Sequence, residues 1–282
     1  MTNDTLLLGP APRPTEGSSF AEALRAALQR ELTPDFAGLD RMGVTAALDG
    51  ADIASLDVVM TGVTTAMTTR PTPPALPGVE AAQTEPGRLR HATFEARPFV
   101  LEGAKVEVTG SVDNMPLEWV TTADGQYGLR LNEPTDAADP VTGGGQASIS
   151  KADLEALANT AAAELAEPMG VHVQNVTLDI KQLSPRQLAV TAEAKVKKGF
   201  ISAPAQVTAQ ATVDDAMVIT ISGIEAGSRN PVVNGLLSLV RGKVEQFNGK
   251  KLAVNDKLPA GLKISSAEFQ VSDTITVRGT IG

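Results

Sequence analysis

The sequence contains no cysteine, which excludes disulfides, thiol nucleophiles and cysteine-held metals. Histidine is nearly as scarce: the two copies, His91 and His172, lie far apart and leave no spacing for a histidine metal site. Aromatic residues make up 3% of the chain, so any interior must be built from alanine, valine, leucine and isoleucine. With so few stacking platforms and a net charge of −9, nucleic acid is a poor partner. No run approaches 18 apolar residues, the length of a membrane-spanning helix. The start, MTNDTLLLGPAPRPTEGSS, holds a three-leucine patch but no basic stretch leading into a long apolar run, so it does not read as a secretory signal. These absences predict a soluble chain, cytoplasmic or peripheral to a membrane.

Catalytic patterns are missing as well. There is no GxSxG and no zinc-ligand spacing. Gly143-Gly144-Gly145 lacks a following Lys-Ser or Lys-Thr and reads as a flexible loop, not a phosphate cradle. Asp214-Asp215 reads as a hairpin turn, and His172, between Val171 and Val173 on a predicted strand, points to the polar side. The chain is therefore expected not to be an enzyme, and no cofactor or metal is implied.

What is present is enough apolar material for a sizeable core: 282 residues, 42% hydrophobic and 20% charged. The two halves differ in surface charge. Residues 1–149 carry 10 basic and 20 acidic side chains, whereas residues 150–282 carry 14 and 13.

Three helices are predicted. The first, from a cap at Ser19 to Leu32, has Phe20, Leu24, Ala27, Leu28 and Leu32 on one face. The second opens at Ser150, with Leu154, Leu157, Ala158, Ala161 and Leu165 as its apolar stripe, and ends at Pro168. The third, Asn230–Phe247, begins with a capping Asn and a Pro at the first helical position. Val233, Leu236, Leu237, Val240, Val244 and Phe247 recur along it at helical spacing.

Elsewhere the period is two. Leu188, Val190, Ala192, Ala194 and Val196 alternate with polar residues, and so do Ala205, Val207, Ala209, Ala211 and Val213. Further strands are expected at Val44–Ile53, broken by Asp49-Gly50, then at Leu56–Val63, His91–Val100, Ala104–Val112, Leu117–Thr122 and Gln126–Leu131. A turn is expected at Asp113-Asn114-Met115-Pro116. Residues 1–18 read as a flexible tail, 70–87 as a proline-dense strap, and 132–148 as a loop.

Internal repetition ties these pieces together. MGVHVQNVTLDI (169–180) aligns without gaps with AGLKISSAEFQV (260–271), and more weakly with MGVTAALDGADI (42–53). Each copy follows a predicted helix. The expected organisation is one domain over 19–282, with pseudo-symmetric halves at 19–149 and 150–282.

The run LPAGLKISSAEFQVSDTITVRGTIG, with ISKADLEALAN at the second helix, resembles the LmeA-like phospholipid-binding family, which is similar to the tubular lipid-binding superfamily. The resemblance covers residues 20–282, with its best motifs in 149–159 and 258–282. It implies an α+β fold in which a highly curved antiparallel β-sheet wraps long amphipathic helices around an acyl-chain cavity. The candidate lining is Leu154, Leu157, Leu165, Ala192, Ala194, Ala209, Ala211, Val233, Leu236, Leu237, Val240, Val244 and Phe247.

Between residues 229 and 263 seven basic side chains face two acidic ones. Arg241, Lys243, Lys250 and Lys251 among them are candidates to meet anionic headgroups or a membrane surface. The expected partner is a lipid or other hydrophobic small molecule, held without chemistry. The alternative is a scaffolding module whose core is filled by its own side chains.

Overall fold

The computed structural model describes residues 5–33, 36–65, 79–134, 139–228, 230–231, 234–235, 248–258 and 262–282. They form two compact units: Met1–Ala147 with Lys257–Ile264 and Gly279–Gly282, and Ser148–Asp256 with Ser265–Arg278.

The expected wrapping of long helices by a curved sheet is overturned. Of the described residues 61% are in strands and 18% in helices, and the sheets are neither curled nor closed. The helices α1 (Gly17–Leu32) and α2 (Lys151–Ala166) have 16 residues each. The burial pattern gives the reason. A central helix must leave water on all sides, but α1 buries the single stripe Phe20, Ala21, Leu24 and Ala27, and α2 fully buries Ala166 alone. The predicted third helix lies almost wholly outside the described residues. Asn230, Pro231, Asn234 and Gly235 are described, with the Asn234 N–H donating to Asn230 O at 2.9 Å.

In the first unit the chain runs β1 (Leu6–Pro10), α1, β2 (Phe36–Ala37), β3 (Gly43–Asp49), β4 (Asp52–Val59), β5 (Thr64–Thr65), β6 (Ala81–Leu101), β7 (Ala104–Thr122) and β8 (Gln126–Leu131). It then enters β9 (Thr142–Ser150), and the sheet order is β9-β7-β6-β4-β3. α1 lays Phe20, Leu24 and Ala27 among Ile53, Leu89, Met115, Leu117 and Trp119. Phe20 meets Trp119 edge-on, with ring centroids 5.4 Å apart, and the indole N–H donates to Ala51 O at 2.7 Å. Ser19 does not cap α1. The helix starts earlier, at Gly17, where a Cβ would collide with Ala46 O of β3.

Four further expectations are corrected in this unit. The tail is not free, because its leucine run becomes β1, paired with β8 from Leu6↔Leu129 to Pro10↔Gln126. Arg13 then grips Glu85 through Nε (2.9 Å) and Nη2 (3.1 Å) while lying 5.1 Å from the centre of the Trp119 ring.

The strap is overturned from residue 81 onward, where it is the first part of β6; residues 70–78 lie outside the described residues. β4 pairs with β6 only from Leu89 on, so Pro86 has a strand, β7, on one side only. The Arg88 N–H, two residues on, points away from β7 to Asp52 Oδ1, and the N–H that Pro86 lacks would fall on that same open side. The turn at 113–116 is absent too. Asn114 takes a left-handed φ of 60°, yet β7 continues through it, pairing Asp113 with His91 and Met115 with Leu89. The left-handed residue resets which side chains face inward: Ala92 and Val112 before it in the ladder, Leu89, Met115 and Leu117 after it.

The glycine loop is overturned as well, since Gly143-Gly144-Gly145 lies within β9. A Cβ at Gly145 would sit 2.9 Å from Thr109 O, one at Gly144 2.9 Å from Gly279 O, and one at Gly143 would collide with Ser111 O. Neighbouring backbones come so close here that only glycine fits.

The second unit begins with α2, whose cap is as its sequence predicts. The Asp153 N–H donates to Ser150 Oγ at 3.0 Å, and the Ser150 hydroxyl donates to Asp153 Oδ2 at 2.5 Å. β10 (His172–Ser184), β11 (Gln187–Lys198), β12 (Ile201–Val213), β13 (Val218–Gly227) and β14 (Lys251–Ala253) follow as an antiparallel sheet in sequential order. β15 (Ile264–Val271) and β16 (Thr274–Ile281) neighbour each other at the end of the chain.

β10 is an edge strand, and α2 guards it. Asn159 donates to Val176 O (3.2 Å) and accepts from Val176 N (2.9 Å), while Glu155 accepts from Leu178 N (2.8 Å). These side chains satisfy the backbone groups that would otherwise recruit another strand.

Asn159→Ala is expected to cost about 1–3 kcal/mol, because two buried-edge backbone groups lose their partner at once. Faster amide exchange at Val176, with the Phe20 core unchanged, is the signature to look for. A second prediction concerns pH. The hydrogen bonds from Arg13 hold the Glu85 carboxyl below its ordinary range against a smaller opposing effect of burial. A depressed carboxylate stabilises above its unfolded pKa of ~4.3, and that stability is lost as pH falls through the folded value. The exposure of Glu85 keeps the effect below about 1 kcal/mol. The difference in melting temperature between wild type and Glu85→Gln should therefore shrink toward zero in acid.

Candidate functional site

Catalysis would need a constellation of polar side chains, and the first unit holds several. His91 Nδ1 lies 2.6 Å from Asp113 Oδ1 on adjacent strands, both half exposed. Thr93 donates to Asp57 Oδ1 at 2.5 Å and Thr45 to Asp57 Oδ2 at 3.3 Å, and Arg90 bridges Asp49 and Asp52. These are cross-strand pairs of a solvated sheet face. No activated nucleophile stands beside His91, and among the described residues no group of three acidic or histidine ligands converges. Asp214 closes the β12–β13 turn by accepting from the N–H groups of Ala216 and Val218, both at 2.9 Å, and Asp215 pairs with Arg186.

The second unit offers a different kind of surface. Antiparallel pairing puts directly opposed residues on one face, and the β11–β12 register is Leu188↔Ala211, Val190↔Ala209, Ala192↔Val207, Ala194↔Ala205 and Val196↔Ala203. β10 adds Leu178 opposite Ala192 and Ile180 opposite Val190; β13 adds Ile221 opposite Ala211 and Ile219 opposite Val213. The result is a continuous aliphatic strip whose centre is lined by alanines. The reverse face carries Thr191, Glu193, Lys195, Gln206, Thr208, Gln210 and Thr212.

The strip is unevenly covered. Ala166 at the end of α2 joins Val171, Val196, Ala203 and Ala205 in a buried cluster at one end. Ala192, Ala194, Ala209 and Ala211 are only half-buried. At the other end β14 lies against β13, pairing Lys251 with Thr220 and Leu252 with Ile219, and the Ile221 N–H donates to Lys250 O at 3.1 Å. Lys250, Lys251 and Leu252 are exposed.

The structure thus unites the four predicted alanines and sets β14 at one end of their strip, with Lys251, opposite Thr220 and so in line with Thr212, on the reverse face. It does not bring the α2 stripe to them. Leu165 is 49% exposed, Leu154 and Leu157 are half-buried, and α2 bonds to the β10 edge through Asn159 and Glu155. Val233, Leu236, Leu237, Val240, Arg241, Lys243, Val244 and Phe247 lie outside the described residues.

Leu178, Ile180, Leu188, Val190, Val207 and Ile221 belong to the same face and were missing from the sequence-derived lining. The alternation of β11 and β12 contained the signal, and pairing register supplies the neighbours. No protein-family model, curated protein or solved structure matches this chain. Among the described residues, no helix is long and apolar enough to cross a membrane.

The contrast between exposed Leu165 and buried Val196 is testable. Leu165→Ser should change stability by less than about 0.5 kcal/mol. Val196→Ala should cost about 2 kcal/mol, since it empties the covered end of the strip. Urea unfolding followed by far-ultraviolet circular dichroism compares the two.

Proposed function

We propose that the alanine-lined strip of β10–β13 binds the acyl chain of a lipid or another elongated hydrophobic molecule, with no covalent step. The observation that carries this reading is the unbroken in-register face from Leu188 to Val196 against Ala203 to Ala211, half-buried at its centre. At ~3.3 Å per residue the eight steps of β11 give an aliphatic track of about 26 Å. One acyl chain spans about half of the ~30 Å hydrocarbon core of a bilayer, so the track is long enough to hold it along its length. Small side chains along the middle, bordered by Leu178 on β10 and Ile221 on β13, form the low part of this face, and there the methylene chain would lie.

Lys250, beside β14 at one end of the strip, supplies positive charge for a carboxylate or phosphate headgroup. The likeness of residues 149–159 and 258–282 to LmeA-like lipid binders supports the same ligand class, although the expected wrapped-helix architecture does not accompany it.

Organic extraction of the purified chain should release lipid, and the chain should take up a fluorescent fatty acid saturably. Ala192→Phe with Ala209→Phe fills the low part of the face and is expected to lower that uptake about tenfold. Protein that extracts clean and shows no saturable uptake would exclude the proposal.

A further inference from the structure

The turn between β11 and β12 presents a second feature that the apolar strip does not explain. Lys198 pairs with Ile201, so the strands are joined by two residues, Gly199 and Phe200. Gly199 takes a φ of 58°, the arrangement in which a two-residue hairpin places glycine first. Nothing in such a turn requires an aromatic second residue. Yet Phe200 is there, at 108% relative exposure, in a chain where every other described aromatic residue is buried or half-buried. Burial elsewhere in the fold does not account for a ring left wholly in water.

The residues around the ring are cationic. Lys195, Lys197 and Lys198 lie on the strand leading into the turn; Lys195 and Lys197 are exposed and Lys198 half-buried. Among the described residues none of the three side chains enters an ion pair or a hydrogen bond, whereas Lys181 and Arg186 pair with Asp179 and Asp215. Opposite them stand Gln174, His172, Ser202 and Pro204, none of them acidic. The nearest acid along β11 is Glu193, further from the tip, and Glu164 and Glu167 lie at the end of α2.

An aromatic wedge on a rigid hairpin, with ammonium groups on flexible stems along the strand leading into it, matches the two layers of a lipid interface. The ring favours the headgroup–acyl boundary, while the lysines stay at the level of the phosphates.

We infer that the β11–β12 tip docks this protein on an anionic bilayer surface, with Phe200 entering the interface and Lys195, Lys197 and Lys198 meeting the lipid phosphates. The inference deepens the ligand reading, because the tip adjoins the Val196–Ala203 end of the strip, away from Lys250 and Lys251. Docking itself needs no ligand in the strip, so the two readings fail separately.

Co-sedimentation of the full chain with phosphatidylcholine vesicles, and with vesicles that also contain phosphatidylserine, tests this. Wild type should bind the anionic vesicles preferentially and lose binding as salt rises. Phe200→Ser should weaken that binding about tenfold, the effect of returning one ring to water. Lys197→Glu with Lys198→Glu should weaken it by about tenfold or more and erase the preference for phosphatidylserine.

Phe200→Trp should give a blue-shifted emission on the same vesicles, which a purely structural role would not produce. All these variants should unfold as wild type does, and the tip variants should still take up the fluorescent fatty acid. Equal binding to both vesicle types, unaltered binding of Phe200→Ser, or no emission shift would each overturn the inference.

Discussion

The two-residue period of an extended strand is the constraint on which both units depend. A strand sends alternate side chains to opposite faces, so one inward residue commits every second residue after it. The chain escapes that commitment at defined points by putting a left-handed residue inside a strand. Asn114 resets β7. Asn175, with φ 52°, does the same in β10, where Val173 opposes Val196 but Leu178 opposes Ala192. Gly223, with φ 62°, resets β13 between Ile221 opposite Ala211 and Ala226 opposite Val207. Two of these residues are asparagines, whose short polar side chain tolerates the left-handed region better than most.

Legibility in the sequence followed the same line. β11 and β12 could be read residue by residue because their alternation is unbroken, and the cap of α2 because Ser150 and Asp153 are three apart. Asn114 was misread as a reversal, since a turn and an in-strand reset use the same residue type. Gly143–Gly145 looked like slack and is the opposite, because the carbonyls of Thr109, Ser111 and Gly279 that forbid a side chain belong to distant parts of the chain. Residues 6–10 are too short to announce a strand; the partner that makes them one, Gln126–Leu129, is more than a hundred residues away.

The candidate site was legible in composition and less so in arrangement. Alanine on the inward positions of β11 and β12 was visible, and register alone turned it into a continuous track. The leucines of α2 looked equivalent to those alanines as apolar material. What separates them is that Asn159 and Glu155 bind α2 to the strand edge, a preference no hydrophobic pattern reveals. Phe200 was overlooked for a related reason: a single aromatic has no period, and its exposure is a property of the hairpin that carries it.

The placement of the indole at Trp119 and the phenol at Tyr127 has a practical result. These are the one tryptophan and the one tyrosine of the chain, and both are buried in the first unit. Indole and phenol fluorescence therefore watch that unit alone. Melting, ligand entry or surface contact in the second unit leaves this emission unchanged unless a tryptophan or tyrosine is built into it.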